Sequence, residues 1–302
     1  MKIALTRWIA DFHIDGIRMD SVENVSNWDF VQEYKDLART LNQARFMTQG
    51  TAGADERFLV VGEELSEPHA LLVQDRLDGL WRQSFKDYIR IALIGRNHEN
   101  ESTFEATVRK AIDCREFGYA DLTPAVIYLT SHDVEGPRNE RLFNFFMNTG
   151  VTDVEKRTKL AFACLLTAVG LPMILAGDEF ADQHDLFDAN GNVNQAGGKQ
   201  VDPVNFARLG DDWRTRIKEY ASRLIKLRTS YDALTVNDHR LYSPRLQRRQ
   251  TGASLAPRPT GCGQTGRRRR ELLRLHHSRP FQSECRILRS ELACDPAGQT
   301  LA

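Results

Sequence analysis

Three short apolar runs in this chain each end on a carboxylate, and that repetition limits the fold more than any other feature. The first is Ile14-Asp15-Gly16-Ile17-Arg18-Met19-Asp20, the second Phe58-Leu59-Val60-Val61-Gly62-Glu63. The third, Ala125-Val126-Ile127-Tyr128-Leu129-Thr130-Ser131-His132-Asp133, ends in a His-Asp pair. Near-continuous apolar runs of this length fit parallel strands covered on both faces. Parallel strands that deliver acids at their C-terminal ends are how a β/α barrel assembles an active site. Any one of these acids could cap a helix or sit in a structural ion pair. Three repeats of one design are harder to explain that way.

The first run carries a further signal. Residues two apart in a strand share a face, so Arg18 and Asp20 point the same way. A guanidinium beside a carboxylate favours the anion, which suits a nucleophile. Neighbouring parallel strands are about 4.8 Å apart, so acids ending adjacent strands can work as a pair, one protonated through burial or nearby anions and one kept ionised. Glu64 follows directly, and strand alternation sends it to the opposite face, which leaves Glu63 as the working acid.

Taken together, Gly16-Ile17-Arg18-Met19-Asp20, Gly62-Glu63 and His132-Asp133 resemble, in order, the motif set of the α-amylase family of glycoside hydrolases. Leu171-Pro172-Met173-Ile174-Leu175-Ala176-Gly177-Asp178-Glu179 is similar to the family's eighth-strand segment, and Leu77-Asp78-Gly79-Leu80-Trp81 to its sixth. The resemblance covers residues 1 to about 240. It implies Asp20 as nucleophile, Glu63 as general acid/base and Asp133 as transition-state stabiliser. It also implies Arg18, His132, Trp81 and Arg138 as residues that bind or hold the substrate. The implied partner is an α-1,4/α-1,6-glucan or maltooligosaccharide, handled through a covalent glycosyl-enzyme by hydrolysis or transfer. Glu23-Asn24 stand where many members carry Lys-His. Glu63-Glu64, Ser131-His132-Asp133 and Gln200-Val201-Asp202-Pro203-Val204-Asn205 look more like the branching, debranching and trehalose-releasing side. The alternative is an amylase-like domain used for binding or structure without turnover; loss of any of the three acids would favour it, and all three are present.

The rest of the front segment reads as repeated βα units. Strands are expected near 14–20, 58–63, 78–81, 125–130 and 172–176. Amphipathic helices are expected over Asn27 to about Arg45, Phe104 to about Arg115, Val154 to about Ala168 and Trp213 to about Thr229. The fold class is therefore α/β, a partial (β/α)8 TIM barrel covering about the fourth to eighth strands. Only about thirteen residues precede the first motif, so three strands and the family's D-x-x-x-N-H segment are expected to be missing, and the chain to be inactive as a fragment. That segment commonly supplies a calcium ligand, so no cofactor or metal is expected. An open five-strand sheet would leave two edges that invite association. The polar stretch after Gly177 to about residue 212 reads as a long loop at the barrel mouth.

Composition divides the chain. Residues 1–240 hold twenty Arg and nine Lys against thirty-seven acids, net −8; residues 241–302 hold twelve Arg, no Lys and four acids, net +8. Residues 1–240 are therefore read as the barrel. Residues 241–302 are read as an irregular Arg-rich tail, possibly out-of-frame sequence, rather than a nucleic-acid patch, since no aromatic stacking set accompanies Arg267–Arg270. Five cysteines, an odd number, argue against a complete disulfide framework. Ala161 to Gly177 is uncharged over seventeen residues. Gly170 and Pro172 interrupt it, so a helix, a turn and a strand fit better than a membrane span. No membrane partner is expected. The opening residues hold no apolar stretch suited to a signal peptide, and a cytoplasmic location is expected.

Overall fold

The computed structural model describes residues 1–47, 58–133, 141–185 and 203–235. The elements run α1 (Lys2–Phe12), β1 (Gly16–Met19), α2 (Val22–Val25), α3 (Trp28–Met47), β2 (Leu59–Gly62), α4 (Ala70–Val73) and β3 (Gly79–Trp81). They continue through α5 (Gln83–Leu93), α6 (Phe104–Ile112), β4 (Ala125–Tyr128), α7 (Leu142–Asn148), α8 (Val154–Thr167), β5 (Leu171–Met173) and α9 (Asp212–Ser230), with short 3-10 turns between several of them. The five strands form one parallel sheet in the order β1-β2-β3-β4-β5. Sequential parallel strands with helices between them make a partial barrel. Every strand anticipated from the apolar runs is present.

The sheet is covered by two apolar cores. One gathers Leu5 and Ile9 from α1, Val31 and Ala38 from α3, and Phe58, Val60 and Leu80 from around β2 and β3. The other joins Phe85 and Ile89 of α5, Phe146 of α7, Phe162 and Leu165 of α8, and Leu224 of α9 behind Ile127 and Leu129. The four anticipated helices match α3, α6, α8 and α9. The uncharged stretch resolves as the last turns of α8, a turn at Gly170 and then β5. No helix among the described residues is long and apolar enough to cross a membrane.

The N-terminal end of the sheet is tied by charge. Asp78, just before β3, accepts the Val60 amide at 2.8 Å and meets Lys35 and Arg39 of α3 at 2.9 and 2.8 Å. The fully buried Lys35 also reaches Asp75 at 2.7 Å. A buried ammonium is tolerated only with such partners. Helix α5 was not anticipated, although Phe85, Ile89 and Leu93 repeat every four residues along it and all three are buried. Three expectations fall wholly or partly outside the described residues: Arg138, the tail 241–302, and part of the long loop, of which 186–202 are not described.

Candidate active site

The candidate residues leave the C-terminal ends of three strands. Arg18 lies within β1 and Asp20 directly after it; Glu63 follows β2, and Asp133 lies five residues beyond β4. The backbone locks the first two segments together, the Glu63 amide donating to Met19 O at 2.9 Å and the Val22 amide to Glu63 O at 2.9 Å. Gly62 makes this approach possible: a Cβ there would fall 2.5 Å from Leu77 Cδ1 and 3.1 Å from Val22 Cγ2. A side chain at 62 would have to displace the buried Leu77 and Val22 side chains that pack there.

Arg18 is the hub. Its guanidinium touches Glu63 Oε2, lies 2.7 Å from Asp20 Oδ1 and 3.9 Å from Asp133 Oδ2. Its carbon Cζ sits 4.4 Å above the Trp81 ring. His132 Nε2 lies 3.0 Å from Asp133 Oδ2, and its ring meets Trp81 edge-on with centroids 6.0 Å apart. Thus Asp20, Glu63, Asp133, Arg18, His132 and Trp81 come together. Asp20, Glu63 and Asp133 line one cleft of about 190 Å³ with Ser21, Glu23 and Leu65. Trp81 is placed differently from the reading of it as a substrate contact. Only 5% exposed, its ring face is covered by the guanidinium, so it supports Arg18 from below.

The carboxylates differ in environment. The side chains of Asp20, Asp133 and Glu63 are 74%, 33% and 10% exposed. Burial raises the Glu63 pKa; Arg18 opposes this, while a hydrogen bond with Asp20 and the charge of Asp133 add to the rise and the Ser21 amide opposes it. A carboxyl pushed toward its neutral form beside an exposed carboxylate is the pairing that general acid and nucleophile require.

Two neighbours were not singled out as site residues. Glu64 lies beyond the end of β2 at Gly62, so strand alternation does not fix its direction. It is buried, accepts the Ser66 hydroxyl at 2.6 Å, and hydrogen-bonds Glu23 at the cleft wall. That contact raises the Glu23 pKa, mainly through the Glu64 charge. The adjacent acids in the sequence were the available signal. Among the described residues no group of three or more His, Cys, Asp or Glu is arranged to hold a metal ion.

No family model matches the chain. Malto-oligosyltrehalose trehalohydrolase from Saccharolobus solfataricus is 20% identical over 267 residues, which are 74% of this chain and 44% of that protein. Among solved structures, the cyclic α-maltosyl-(1→6)-maltose hydrolase of Arthrobacter globiformis, in complex with maltose, superposes with a TM-score of 0.52 at 22% identity over 76% of this chain and 44% of that one. The pullulanase of Anoxybacillus sp. LM18-11, complexed with maltotriose, gives 0.52 at 18% identity over 77% and 32%. The chain thus resembles α-amylase-type glycosidases in sequence and shares the fold of part of their barrel, and it spans less than half the length of each.

Proposed function

We propose that this chain carries the nucleophile, the acid/base and the stabilising acid of a retaining α-amylase-family enzyme acting on α-1,4/α-1,6-glucans. The observation that carries the reading is the convergence of Asp20, Glu63 and Asp133 around Arg18 in one cleft. The substrate class follows from the relatives, a trehalohydrolase of malto-oligosyltrehalose and enzymes captured with maltose and maltotriose.

In this reading Glu63, its pKa raised by burial, gives its proton to the glycosidic oxygen as the bond to the anomeric carbon breaks. Asp20 closes on the same carbon and forms the glycosyl ester. Asp133, held by His132, sits against the ring hydroxyls as positive charge develops on the sugar. Glu63, now an anion, takes a proton from water or from a sugar hydroxyl, which attacks the anomeric carbon and returns Asp20 to a carboxylate. Water gives hydrolysis and a sugar hydroxyl gives transfer. Arg18 bridges all three acids, so one rigid cation sets their spacing, and its fork geometry does this better than an ammonium could. Asp20 and Glu63 share the Arg18 guanidinium, Asp20 Oδ1 at 2.7 Å and Glu63 Oε2 in direct contact, which supports the short separation of a retaining pair over the wider gap an inverting one needs for water.

The test is Asp20→Asn in the 302-residue chain, assayed on a 4-nitrophenyl maltooligoside. Turnover is expected to fall on the order of 10⁶-fold, as when a covalent nucleophile is removed; undiminished turnover rejects Asp20. One observation favours a second reading, a barrel segment that binds α-glucan without turning it over: among the described residues β1 and β5 each pair on one side only. Maltooligosaccharide binding by a wild-type chain that shows no turnover selects that reading.

A further inference from the structure

The segment that follows Asp20 is bent at both ends. Ser21 has φ of +43° and Ser26 φ of +48°, left-handed conformations that residues other than glycine rarely take, and the four-residue helix α2 lies between them. Asn24 closes the first bend. Its side-chain amide donates to the Ser21 hydroxyl, and its backbone amide donates to Ser21 O at 2.9 Å. Ser26 closes the second, its hydroxyl and its backbone amide donating to Glu23 O at 2.9 and 3.2 Å. Short polar side chains stabilise such turns through local hydrogen bonds of this kind. Inside the cleft, the bend aims the Ser21 N–H at Glu63 Oε2, 3.4 Å away, the same oxygen that the Arg18 guanidinium touches. The next amide, Val22, donates to Glu63 O at 2.9 Å. One short stretch of chain thus holds both the backbone and the carboxyl of residue 63.

We propose that Ser21 and Asn24 are positioning residues for the acid: Asn24 clamps Ser21 in its left-handed conformation, and the Ser21 amide so aimed holds Glu63 Oε2 together with Arg18. The inference rests on the reading of Glu63 as general acid/base. Two donors on one oxygen fix the rotation of the carboxyl, and both favour the anion that Glu63 becomes once its proton has left. Burial pushes the Glu63 carboxyl up; Arg18 and the Ser21 amide pull against it, while the hydrogen bond with Asp20 and the charge of Asp133 push with it. The charged groups around Glu63 are Arg18 and Asp20 at the end of β1, Glu23 of α2, Glu64 next in the chain, and Asp133 with its partner His132 beyond β4. Asn24 is exposed and carries no charge, so replacing it opens the clamp and leaves every one of these groups in the molecule.

The test is Asn24→Ala in the 302-residue chain, with the Glu63 carboxyl carbon, assigned by Glu63→Gln, followed by NMR from about pH 3 to 8, the span in which perturbed carboxyls titrate. With the clamp open the Ser21 amide leaves Oε2, and the Glu63 midpoint is expected to move up by about half a pH unit. Ser21→Gly removes the hydroxyl that Asn24 holds and suits the left-handed conformation without help, so adding Asn24→Ala to it should move the midpoint no further. In the Glu23→Gln background Asn24→Ala should still move it by the same amount, because the shift comes from the amide. On maltotriose the alkaline limb of kcat/KM should follow the midpoint upward, with kcat falling about fivefold and KM staying within about twofold. A Glu63 curve unmoved by Asn24→Ala, an equal shift in the Ser21→Gly background, or a shift that vanishes with Glu23→Gln overturns the clamp. Turnover with an unmoved Glu63 curve refutes the clamp alone; a raised midpoint in a chain without turnover refutes the glycosidase reading instead.

Discussion

Arg18 and Arg141 each face more than one carboxylate near the same end of the sheet, and the two clusters differ in access. Around Arg18 the acids step from a mostly exposed Asp20 through a partly exposed Asp133 to a nearly buried Glu63. Around Arg141 the described acids, Asp178 and Asp182, and the arginine itself are 3% exposed or less. In both places burial lifts a carboxyl toward its neutral form. Only the first has a neighbour with different solvation and a cleft through which a proton can come and go. The lesson is that a raised carboxyl does not identify a working acid; a gradient of exposure across a short distance does. The sealed cluster has none, and its arginine acts on backbone, Arg141 donating to Ala176 O at 3.0 Å.

The contrast breaks first at Glu63. Glu63→Gln removes the transferable proton while keeping size, and a loss of about 10²–10⁴-fold is expected on substrates with a sugar leaving group. With a fluoride or nitrophenolate leaving group, which departs without protonation, the glycosylation step should recover most of that loss. Equal loss on both substrate types would show that Glu63 is not the acid, and the exposure gradient would lose its meaning. The comparison is measured as initial rates on maltotriose against maltotriosyl fluoride.

A smaller effect separates holding from chemistry at Arg18. Arg18→Met keeps a chain of similar length over Trp81 but removes the charge that opposes the burial of Glu63. Without that cation the Glu63 pKa rises further, so more enzyme stays protonated as pH increases. The alkaline limb of kcat/KM, which reports loss of the Glu63 proton, is expected to move to higher pH. The maximum rate should fall about a hundredfold, since three acids lose their common anchor. An alkaline limb that stays in place, or moves down, removes Glu63 as the group whose titration it reports.

How far these clusters could be seen in the sequence follows from what holds each one. The cleft acids were legible because each ends an apolar run, and a run of that kind settles both the strand and the end at which its acid emerges. The sheet followed for the same reason. Helix α5 was hidden by Lys86, Asp87 and Arg90, which break the apolar stripe on paper. In the fold the Lys86 and Arg90 stems are largely buried, and Arg90 serves the end of β4. Alternation carried to Glu64 runs two residues past the end of β2 at Gly62, where the strand no longer fixes a side chain's direction. Trp81 could be recognised as belonging to the site, but its place beneath Arg18 depends on a guanidinium stacking across strands. Spacing alone cannot show that. The sealed cluster is illegible for a related reason: Arg141 precedes α7 while Asp178 and Asp182 follow β5, and no local pattern joins them.

The surface supplies the control for both clusters, with the smallest expected effect. Glu155, in the first turn of α8, accepts from Arg216 of α9 at 2.9 and 2.7 Å and from Lys159 at 2.8 Å. These hydrogen bonds, Arg216 first, hold its carboxyl down to about 2 from 4.5. A depressed carboxylate adds stability that is complete above its unfolded value and is lost as pH falls through the folded one. Glu155→Gln should therefore cost stability at pH 6 and progressively less as pH drops from about 4.5 toward 2. The Arg216 side chain is 53% exposed, so solvent screens the pair and the cost at pH 6 should stay near 1 kcal/mol. Urea midpoints of variant and wild type at pH 6 and at pH 3.5 measure it. A larger gap at the lower pH would reverse the sign of the linkage. A gap of several kcal/mol at pH 6 would mean that this exposed pair behaves like the sealed one, and that access to solvent is not what divides the charges of this molecule into those that react and those that hold.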